Sequence, residues 1–447
     1  MTFNLDRFRR SEFLNNVFTL VSATSVAQGI SILIYPVLSR LYSPDDFGLF
    51  ALYMSITTIT TMVATGKYEL AVMIPRKDSD GAALSLLSAS LAIVFSLLLI
   101  VFVAIFHHNI AQWFGNQAIE HWLYFVPAST LLVSVLQISS YWSNRKKIYR
   151  RIARANLGQS VVNSGIKLST AKAISAGGGL IAGALAGQVT GTLWFVTGIW
   201  RKQKHHFTGV KRSEMRRLAY EYRLFPRYNM VHYVINNFST NLPVFVLSSY
   251  FGSTVTGLYS LGFMMINRPA NLLTSSFTQV FSQRIIEKYN SGLEISTDVK
   301  KLVTRLLLLA AGPFVAAAFF GPSLFSFFFG KEWSQAGQFM QILLPWLLVV
   351  FVSAPLSFLP DVLSRQRKAM WLDILKFVFR VAALGIGVFE GDVYLALILF
   401  SGISFFIVSY NLFWYISLSV RADKRKGPGM PLQVNGAGPS GTGEPDT

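Results

Sequence analysis

The chain has 447 residues, of which 52% are hydrophobic and 14% are Asp, Glu, Lys or Arg, and its formal net charge is +19. Soluble domains carry about 25% charged residues, so this composition excludes an ordinary soluble protein. The absence of cysteine excludes disulfides, thiolate metal sites and cysteine nucleophiles.

Apolar stretches recur from end to end, and each is about 20 residues long, the length that a helix needs to cross the hydrocarbon core of a bilayer. We therefore predict an all-α polytopic membrane protein with twelve transmembrane helices. The predicted centres lie near residues 27, 57, 94, 130, 164, 188, 238, 267, 312, 348, 379 and 406. The basic start of the chain leads directly into the first stretch, so no cleavable signal peptide is expected.

The basic residues concentrate in alternate loops, for example in 145-RKKIYRRIAR-154 and 201-RKQKHHFTGVKRSEMRR-217. Loops that face the cytoplasm carry such an excess of Lys and Arg in membrane proteins. The pattern therefore indicates a cytoplasmic collar beside anionic membrane lipids, not a nucleic-acid surface. It also predicts that both termini are cytoplasmic.

Two neighbouring carboxylates, Asp45 and Asp46, follow the first predicted span in 42-YSPDDFGLFALY-53. Such a pair can hold a metal in a membrane glycosyltransferase, or it can simply begin a helix. Ser43 is a natural N-cap, Pro44 fits the first helical position, and the helix dipole favours carboxylates in the first turn. Because the outer loops are short and leave no room for a catalytic domain, we interpret the pair as a helix start.

A similar segment, 251-FGSTVTGLYS-260, follows the seventh predicted span. Like 42-YSPDDFGLFA-51, it is an outer turn followed by Gly, Leu, an aromatic residue and a small residue. This predicts two six-helix lobes of the same orientation, residues 1–210 and 211–420, related as a parallel repeat. Chance similarity between short apolar motifs is the alternative. Residues 421–447 are rich in Gly and Pro and are expected to form a disordered cytoplasmic tail.

Glycine recurs every four residues in the sixth predicted span, at Gly179, Gly183, Gly187 and Gly191. This stripe predicts close packing against another helix. It lacks the Gly-Lys-Ser/Thr that completes a phosphate-binding loop. No ATPase motif occurs elsewhere, so we expect an ion gradient or the substrate gradient to supply the energy, with no cofactor.

Polar side chains recur at helical spacing in the first and seventh predicted spans. They are Thr24, Gln28 and Ser31 in the first span, and His232, Asn236, Asn237, Ser239 and Thr240 in the seventh. Amides inside a membrane need hydrogen-bond partners. Two equivalent spans that line a hydrophilic cavity for sugar hydroxyls would supply them, and hydrogen bonding between helices is the alternative.

Five charged residues lie within the predicted spans: Lys167, Arg268, Lys376 and Arg380, with one acid, Asp373. Charges in a membrane are costly, so they usually face a bundle interior or a watery cavity. Asp373 and Lys376 share a helix face and can pair, which leaves Arg380 as the freer cation. Excess positive charge predicts a site for phosphate or diphosphate. Snorkelling to the interface is the alternative for some of these side chains.

The sequence resembles the Wzx-type polysaccharide flippases of the multidrug/oligosaccharidyl-lipid/polysaccharide (MOP) exporter superfamily. The similar segments are 28-QGISILIYPVLSRLYSPDDFGLFALY-53, 329-FGKEWSQAGQFMQILLPWLL-348, and Arg268-Pro269 followed by 278-TQVFSQR-284. Together with twelve spans, the resemblance extends to about residue 420. It implies a MATE-like V of two six-helix lobes, with the first and seventh spans lining a central cationic cavity.

The resemblance also implies a function: moving an undecaprenyl-diphosphate-linked oligosaccharide repeat unit across the bacterial inner membrane by alternating access, for O-antigen or another surface polysaccharide. Arg268, Arg380, Lys376 and Lys167 would hold the diphosphate. Gln28, His232, Asn236 and Asn237 would face the sugars. Membrane lipids, a coupling ion (H⁺ or Na⁺), a polysaccharide polymerase and a chain-length regulator are the expected partners.

Two other functions compete with this prediction. An ion-coupled drug or cation antiporter of the same superfamily would favour embedded carboxylates, and the excess of embedded cations argues against it. A membrane polysaccharide polymerase or glycosyltransferase would need a sizeable external domain with catalytic residues, and the short outer loops argue against that enzyme. We therefore expect no catalytic or metal-binding residues.

Overall fold

The computed structural model describes residues 26–174, 177–363 and 365–425. Within these residues the chain forms helices and no strand. The first lobe contains six long helices: α1 (Val26–Leu41), α2 (Pro44–Ala64), α3 (Asp78–Trp113), α4 (Val126–Arg145), α5 (Tyr149–Ser169) and α6 (Gly178–Gln203). Thr24, at the start of the predicted polar stripe, lies outside the described residues.

The second lobe begins after a linker that contains the short helix Arg212–Glu221. The helical segment Val231–Asn290 is broken at Gly252, whose φ of 88° and ψ of 173° are non-helical and need glycine. We treat its two parts as α7 (231–251) and α8 (253–290). The remaining helices are α9 (Ser296–Phe329), α10 (Ser334–Ser353), α11 (Gln366–Glu390) and α12 (Val393–Arg425).

Every predicted span centre lies within one of these helices, so the all-α fold predicted from apolar periodicity is confirmed. Seven helical segments of the described chain are long and apolar enough to cross a membrane, and one of them contains both α7 and α8. Helix α1 is shorter, and α4, α5 and α11 are not among the seven. The count of twelve crossings therefore stays a prediction.

Helix α2 begins as the sequence predicts. The Ser43 side chain accepts a hydrogen bond from the Asp46 backbone N–H at 3.3 Å, and the Asp46 carboxylate accepts one from the Ser43 N–H at 2.8 Å. Pro44 occupies the first turn. This reciprocal capping box satisfies N–H groups that a helix start leaves free, and it confirms the interpretation of the acidic pair.

The glycine stripe packs α6 against α5. A Cβ on Gly183 would lie 2.4 Å from Cγ of Lys167, and a Cβ on Gly187 would lie 2.9 Å from the Gln159 carbonyl oxygen. Side chains larger than hydrogen would therefore push the helices apart. The predicted close packing is confirmed, and it sets the position of Lys167.

Helices pack mainly within two groups, α2 to α6 and α7 to α12, and the groups meet where α2 contacts α7 and α8. The last helix continues through Arg425. Residues 421–425 are thus helical, which corrects the predicted start of the tail. The rest of the predicted tail lies outside the described residues.

Candidate functional site

A cavity of about 180 Å³ lies where α2 of the first lobe faces α7 and α8 of the second. Aromatic rings form part of its wall, among them Phe47, Phe50 and Phe263. The polar side chains of the wall are Ser55, Thr240, Asn241, Tyr259, Ser260 and Arg268. Within the described residues none of the lining side chains is acidic, so the cavity carries positive charge.

Arg268 contributes the guanidinium group of this wall. It is half-buried on α8, and its guanidinium carbon lies 5.3 Å from the centre of the Tyr35 ring on α1. A cation is attracted to the face of an aromatic ring, which orients the guanidinium without using up its N–H donors. No ion pair in the described chain includes Arg268.

Lys167 lies beside the same cavity and is 4% exposed. Its Nζ is 4.3 Å from the centre of the Phe50 ring, which belongs to the cavity wall. It is close enough to Arg268 for their charges to repel each other. None of the ion pairs among described residues includes Lys167 either. Two cations, one from each lobe, therefore converge beside the cavity without a paired carboxylate.

A hydrogen bond joins the two lobes across the polar part of the cavity. The Ser55 hydroxyl on α2 donates to the Asn241 side-chain oxygen on α7 at 2.9 Å. This bond is a contact between helices, the alternative explanation for the polar run 236-NNFSTN-241, and only the end of that run lines the cavity. Within this run, Thr240 and Asn241 belong to the wall.

The two asparagines that sequence reasoning singled out lie one turn lower. The Asn237 amide donates to the Tyr233 carbonyl of its own helix at 2.9 Å, and the Asn236 carbonyl accepts from Thr240. Neither side chain belongs to the cavity wall. Helical spacing predicted the correct face of α7, but not the position along the helix at which the cavity wall begins.

Gln28 on α1 is half-buried and also lies outside the wall. Its neighbour in the polar stripe, Ser31, forms a 3.0 Å hydrogen bond with Ser160 on α5. Ser160 in turn donates to the Ala27 carbonyl at 2.8 Å. This part of the stripe therefore joins helices, which is the alternative that the sequence left open.

In the second lobe, the Asp373 carboxylate contacts two of the predicted site residues. Lys376 donates to one carboxylate oxygen at 2.7 Å, and Nε2 of His232 lies 3.2 Å from the other. The predicted pairing of Asp373 with Lys376 is therefore present. It compensates the charge of Lys376 and joins α7 to α11.

Arg380 is enclosed within the second lobe, where it is 2% exposed. Its Nε donates to the Ser404 hydroxyl at 2.8 Å, and one terminal nitrogen donates to the Ser239 hydroxyl at 3.1 Å. The rings of Trp346 and Phe400 contact the guanidinium, with centres 4.9 and 4.8 Å from its carbon. The sequence predicts Arg380 as the freer cation, whereas in the structure other protein groups surround its guanidinium.

A second buried acid was missed. Glu69 is 0% exposed, and its carboxylate lies 3.3 Å from Nζ of Lys67. Nζ of Lys67 also lies 4.9 Å from the centre of the Tyr233 ring on α7. Glu69 is therefore a second enclosed acidic residue, whereas the sequence analysis counted only Asp373. The available signal was the isolated Lys-x-Glu between apolar residues, which resembles an ordinary polar loop.

Helices α2 and α8 cross beside the cavity, at the end that the charge pattern predicts to face the outside. The Thr254 hydroxyl on α8 donates to the Asp45 carboxylate on α2 at 2.7 Å. A Cβ on Gly48 would lie 2.0 Å from the Ser253 carbonyl oxygen, and the Cβ of an alanine at Gly257 would also meet α2 backbone. We call this crossing of α2 and α8 the outer contact.

The arrangement of these helices is similar to that of solved MOP-superfamily transporters. The chain is similar to an inward-facing multidrug resistance MATE family transporter, with 14% identity, coverage of 91% of this chain and 96% of that one, and a TM-score of 0.65. The outward-facing conformation of such a transporter gives 12% identity, the same coverage and a TM-score of 0.61. A MOP superfamily transporter from Pyrococcus furiosus Vc1 (DSM3638) has 13% identity, coverage of 91% of this chain and 96% of that one, and a TM-score of 0.61.

A sequence profile of polysaccharide biosynthesis proteins matches residues 37–338, which is more than half of the chain. The chain belongs to this family. The family and the fold agree with the predicted resemblance to Wzx-type flippases, and they make the protein a multi-pass membrane protein. A comparison with curated proteins finds no match.

Proposed function

We propose that the protein is a flippase that moves an undecaprenyl-diphosphate-linked oligosaccharide repeat unit across the bacterial inner membrane, for synthesis of O-antigen or another surface polysaccharide. The observation that carries the proposal is the pair of cations beside the cavity. Lys167 and Arg268 come from different lobes and have no carboxylate partner among the described residues. Such charges are costly in a membrane unless an anion compensates them.

The chemistry of the cavity fits the head of such a cargo. A guanidinium binds phosphate oxygens through two parallel N–H bonds, and an ammonium adds a mobile charge. Ser55, Thr240 and Asn241 supply donors and acceptors for sugar hydroxyls. The polyprenyl tail remains in the bilayer, where its apolar surface is already solvated.

The other predicted cargo residues lie outside the wall in this conformation. Direct contact of the cargo with Arg380, Lys376, Gln28, His232, Asn236 and Asn237 stays a prediction. Several of these residues instead hold together the helices that carry the cavity wall. Arg380 and the Asp373 cluster hold α7 against α11 and α12, and α7 carries part of the cavity wall.

We propose that transport proceeds by alternating access. We assign this conformation to the inward-facing state, because the outer contact joins the lobes at the end that the charge pattern predicts to face the outside. The likeness to both an inward-facing and an outward-facing MATE transporter supports two states of one fold. Parting the outer contact would open the cavity to the opposite side.

The topology that we propose has both termini in the cytoplasm and lobes of residues 1–210 and 211–420. The partners are the lipid-linked oligosaccharide, membrane lipids and a coupling ion, H⁺ or Na⁺. A polysaccharide polymerase and a chain-length regulator would use the translocated repeat unit. The family description, polysaccharide biosynthesis protein, supports this placement.

The alternative of a drug or cation antiporter is less well supported, because the cavity wall presents a guanidinium and no described carboxylate. For the Pyrococcus transporter, reverse polarity of the binding pocket suggests a different function within the superfamily. A polymerase or glycosyltransferase is also less well supported, since the structural neighbours are transporters and not enzymes.

Replacing the cavity cations tests the proposal. In a flippase-null strain, Arg268→Ala and Lys167→Ala should each reduce surface polysaccharide at least about tenfold, the effect of losing a charged hydrogen bond of about 1.5–3 kcal/mol. Arg268→Lys should retain part of the output. The matched control is Arg365→Ala, an exposed arginine outside the wall, which should behave as wild type.

Membrane levels of each variant must be measured by immunoblot. Wild-type polysaccharide output from a normally expressed double variant, Arg268→Ala with Lys167→Ala, would overturn the diphosphate assignment.

A further inference from the structure

The linker between the lobes presents an exposed stripe that the transport cycle does not use. Tyr220, Leu224 and Tyr228 are 70%, 57% and 56% exposed. They lie on both sides of the junction between the α-helix that ends at Glu221 and the π-helix that begins at Phe225. Arg223 and Arg227 are exposed as well. We call these five residues the Tyr–Arg stripe.

The opposite side of the linker helix is fixed to the first lobe. Leu218 is 1% exposed and packs among buried residues that include Trp142. The Tyr68 hydroxyl donates to the Ala219 carbonyl at 3.0 Å, and Arg217 forms an ion pair with Asp80 at 2.8 Å. This anchoring fixes which side of the helix faces away from the protein, so Tyr220 at its end is held outward.

The arginines of the stripe lie against its aromatic rings. The guanidinium carbon of Arg223 is 4.0 Å from the centre of the Tyr220 ring, and that of Arg227 is 5.6 Å from the Tyr228 ring. No ion pair in the described residues includes either arginine. The only nearby acid of the helix end, Glu221, is paired with Arg217 among the described residues. The stripe therefore has net positive charge with free N–H donors.

The position of the stripe relates it to the membrane. The segment that is long and apolar enough to cross the bilayer begins at Phe225, so the stripe extends across the start of a span. Tyrosine and arginine are the side chains that membrane proteins place at head-group level. A chain with apolar groups and cations on one side binds anionic membrane surfaces.

From this geometry we propose that the Tyr–Arg stripe binds the phosphate groups of anionic phospholipids in the leaflet beside the linker. The guanidinium groups contact phosphodiester oxygens, while Leu224 and the two tyrosine rings lie among the glycerol and upper acyl segments. An acidic protein partner would have to approach at the level of the head groups, so the lipid is the occupant that fits. Because the linker joins the lobes, bound lipid holds their connection at the membrane surface.

The natural absence of cysteine allows a direct test with the full-length protein. Leu224→Cys is labelled with bimane and reconstituted into nanodiscs of phosphatidylcholine with rising fractions of phosphatidylglycerol. The emission should shift to the blue as phosphatidylglycerol increases. Ser291→Cys, in an exposed turn of the second lobe, should not respond. Tyr228→Cys provides a second label site if the first variant does not fold.

The charge dependence is tested in the labelled protein with matched double variants. Arg223→Gln with Arg227→Gln should weaken the phosphatidylglycerol response by about fivefold per arginine removed. Lys211→Gln with Arg212→Gln removes the same charge from exposed positions outside the stripe and should leave the response unchanged.

Three results would overturn the proposal. The label could stay water-exposed at every lipid composition, which would leave the stripe free for a protein partner. It could be fully shifted in pure phosphatidylcholine, which would show apolar insertion without head-group recognition. Equal effects of the two double variants would mean that overall charge, and not the stripe, attracts the lipid.

Discussion

The cations Arg268, Lys167 and Arg380 are held in two different ways. Arg268 and Lys167 contact aromatic rings but retain free donors beside the cavity. Arg380 is enclosed between two rings and donates to two serines. A cation with its donors already used is poorly suited to bind a moving cargo. At the residue scale, we therefore propose Arg268 and Lys167 as the residues that contact the cargo, and Arg380 first as a packing residue.

This difference predicts opposite effects of substitution. Arg380→Ala should lower the free energy of unfolding by about 2–4 kcal/mol, because it leaves a cavity and removes a hydrogen-bond donor from two buried hydroxyls. Arg380→Met fills the same space without a buried charge and should recover most of the stability and the transport. Thermal unfolding in detergent and complementation of a flippase-null strain measure the two properties.

The Arg268→Ala variant is the control, since it should unfold near the wild-type temperature and yet fail to transport. A stable Arg380→Met protein without transport would show instead that Arg380 contacts the cargo, as the sequence analysis predicted.

Sequence reasoning found Arg268 because no acidic residue lies near it in the chain, and the structure leaves it without an ion pair in the described residues. The same reasoning missed Glu69. Its neighbours, 65-TGKYELAV-72, follow a span and resemble a polar connection. Its partner Lys67 contacts Tyr233 on α7, and a contact between such distant segments cannot be deduced from local sequence.

At the element scale, the glycine stripe of α6 determines where Lys167 lies. Because Gly183 has no side chain, the Lys167 stem fits between α5 and α6, and the ammonium group reaches Phe50. The spacing of the stripe predicted close packing from the sequence. The identity of the helix that packs against it, α5, followed only from the structure, since any neighbouring helix would satisfy the pattern.

A pair of glycine substitutions separates packing from helix propensity. Gly183→Ala should reduce both stability and transport, because its Cβ would lie 2.4 Å from Cγ of Lys167 and 2.7 Å from a backbone oxygen of α5. Gly165→Ala, on α5 with no atom within 4 Å of the new Cβ, should be neutral or stabilising by up to about 1 kcal/mol. Thermal unfolding midpoints and polysaccharide output provide the comparison.

Equal loss of stability and transport in the two glycine variants would contradict the role of the stripe. Loss of transport in Gly183→Ala at full stability would show that the displacement of Lys167 alone is responsible.

At the scale of the whole molecule, we propose that the outer contact decides which side of the membrane the cavity meets. Asp45 and Thr254 belong to different lobes and are joined by a 2.7 Å hydrogen bond. Because the chain has no cysteine, Asp45→Cys with Thr254→Cys can be cross-linked without other thiols. The cross-link should abolish transport, and a reductant should restore it, because the lobes must part at this point.

Each single cysteine variant under the same oxidant is the control for this experiment, and should transport normally. Full transport by the cross-linked protein would contradict alternating access through this end of the molecule.

Two short similar segments predicted the lobes and their parallel relation, and the structure brings those segments together. The sequence alone could not predict that these two segments contact each other. The hydrogen bond of Asp45 with Thr254 arises from the relative position of two lobes, while the capping role of the neighbouring Asp46 is local and was predicted correctly. Local chemistry is readable in a single sequence, whereas surfaces that meet across the molecule are not.

The residues that form the outer contact are related by a constant offset in the sequence. Asp45 and Thr254 are 209 positions apart, and the same offset relates Pro44 to Ser253 and Gly48 to Gly257. Gly48 meets Ser253 while Gly257 meets Pro44, so each half offers the other the same patch that it receives. This reciprocity is the isologous pairing of a homodimer. A free six-helix unit with this patch would pair with its own copy, and fusion into one chain replaces that association by a tethered one at high effective concentration.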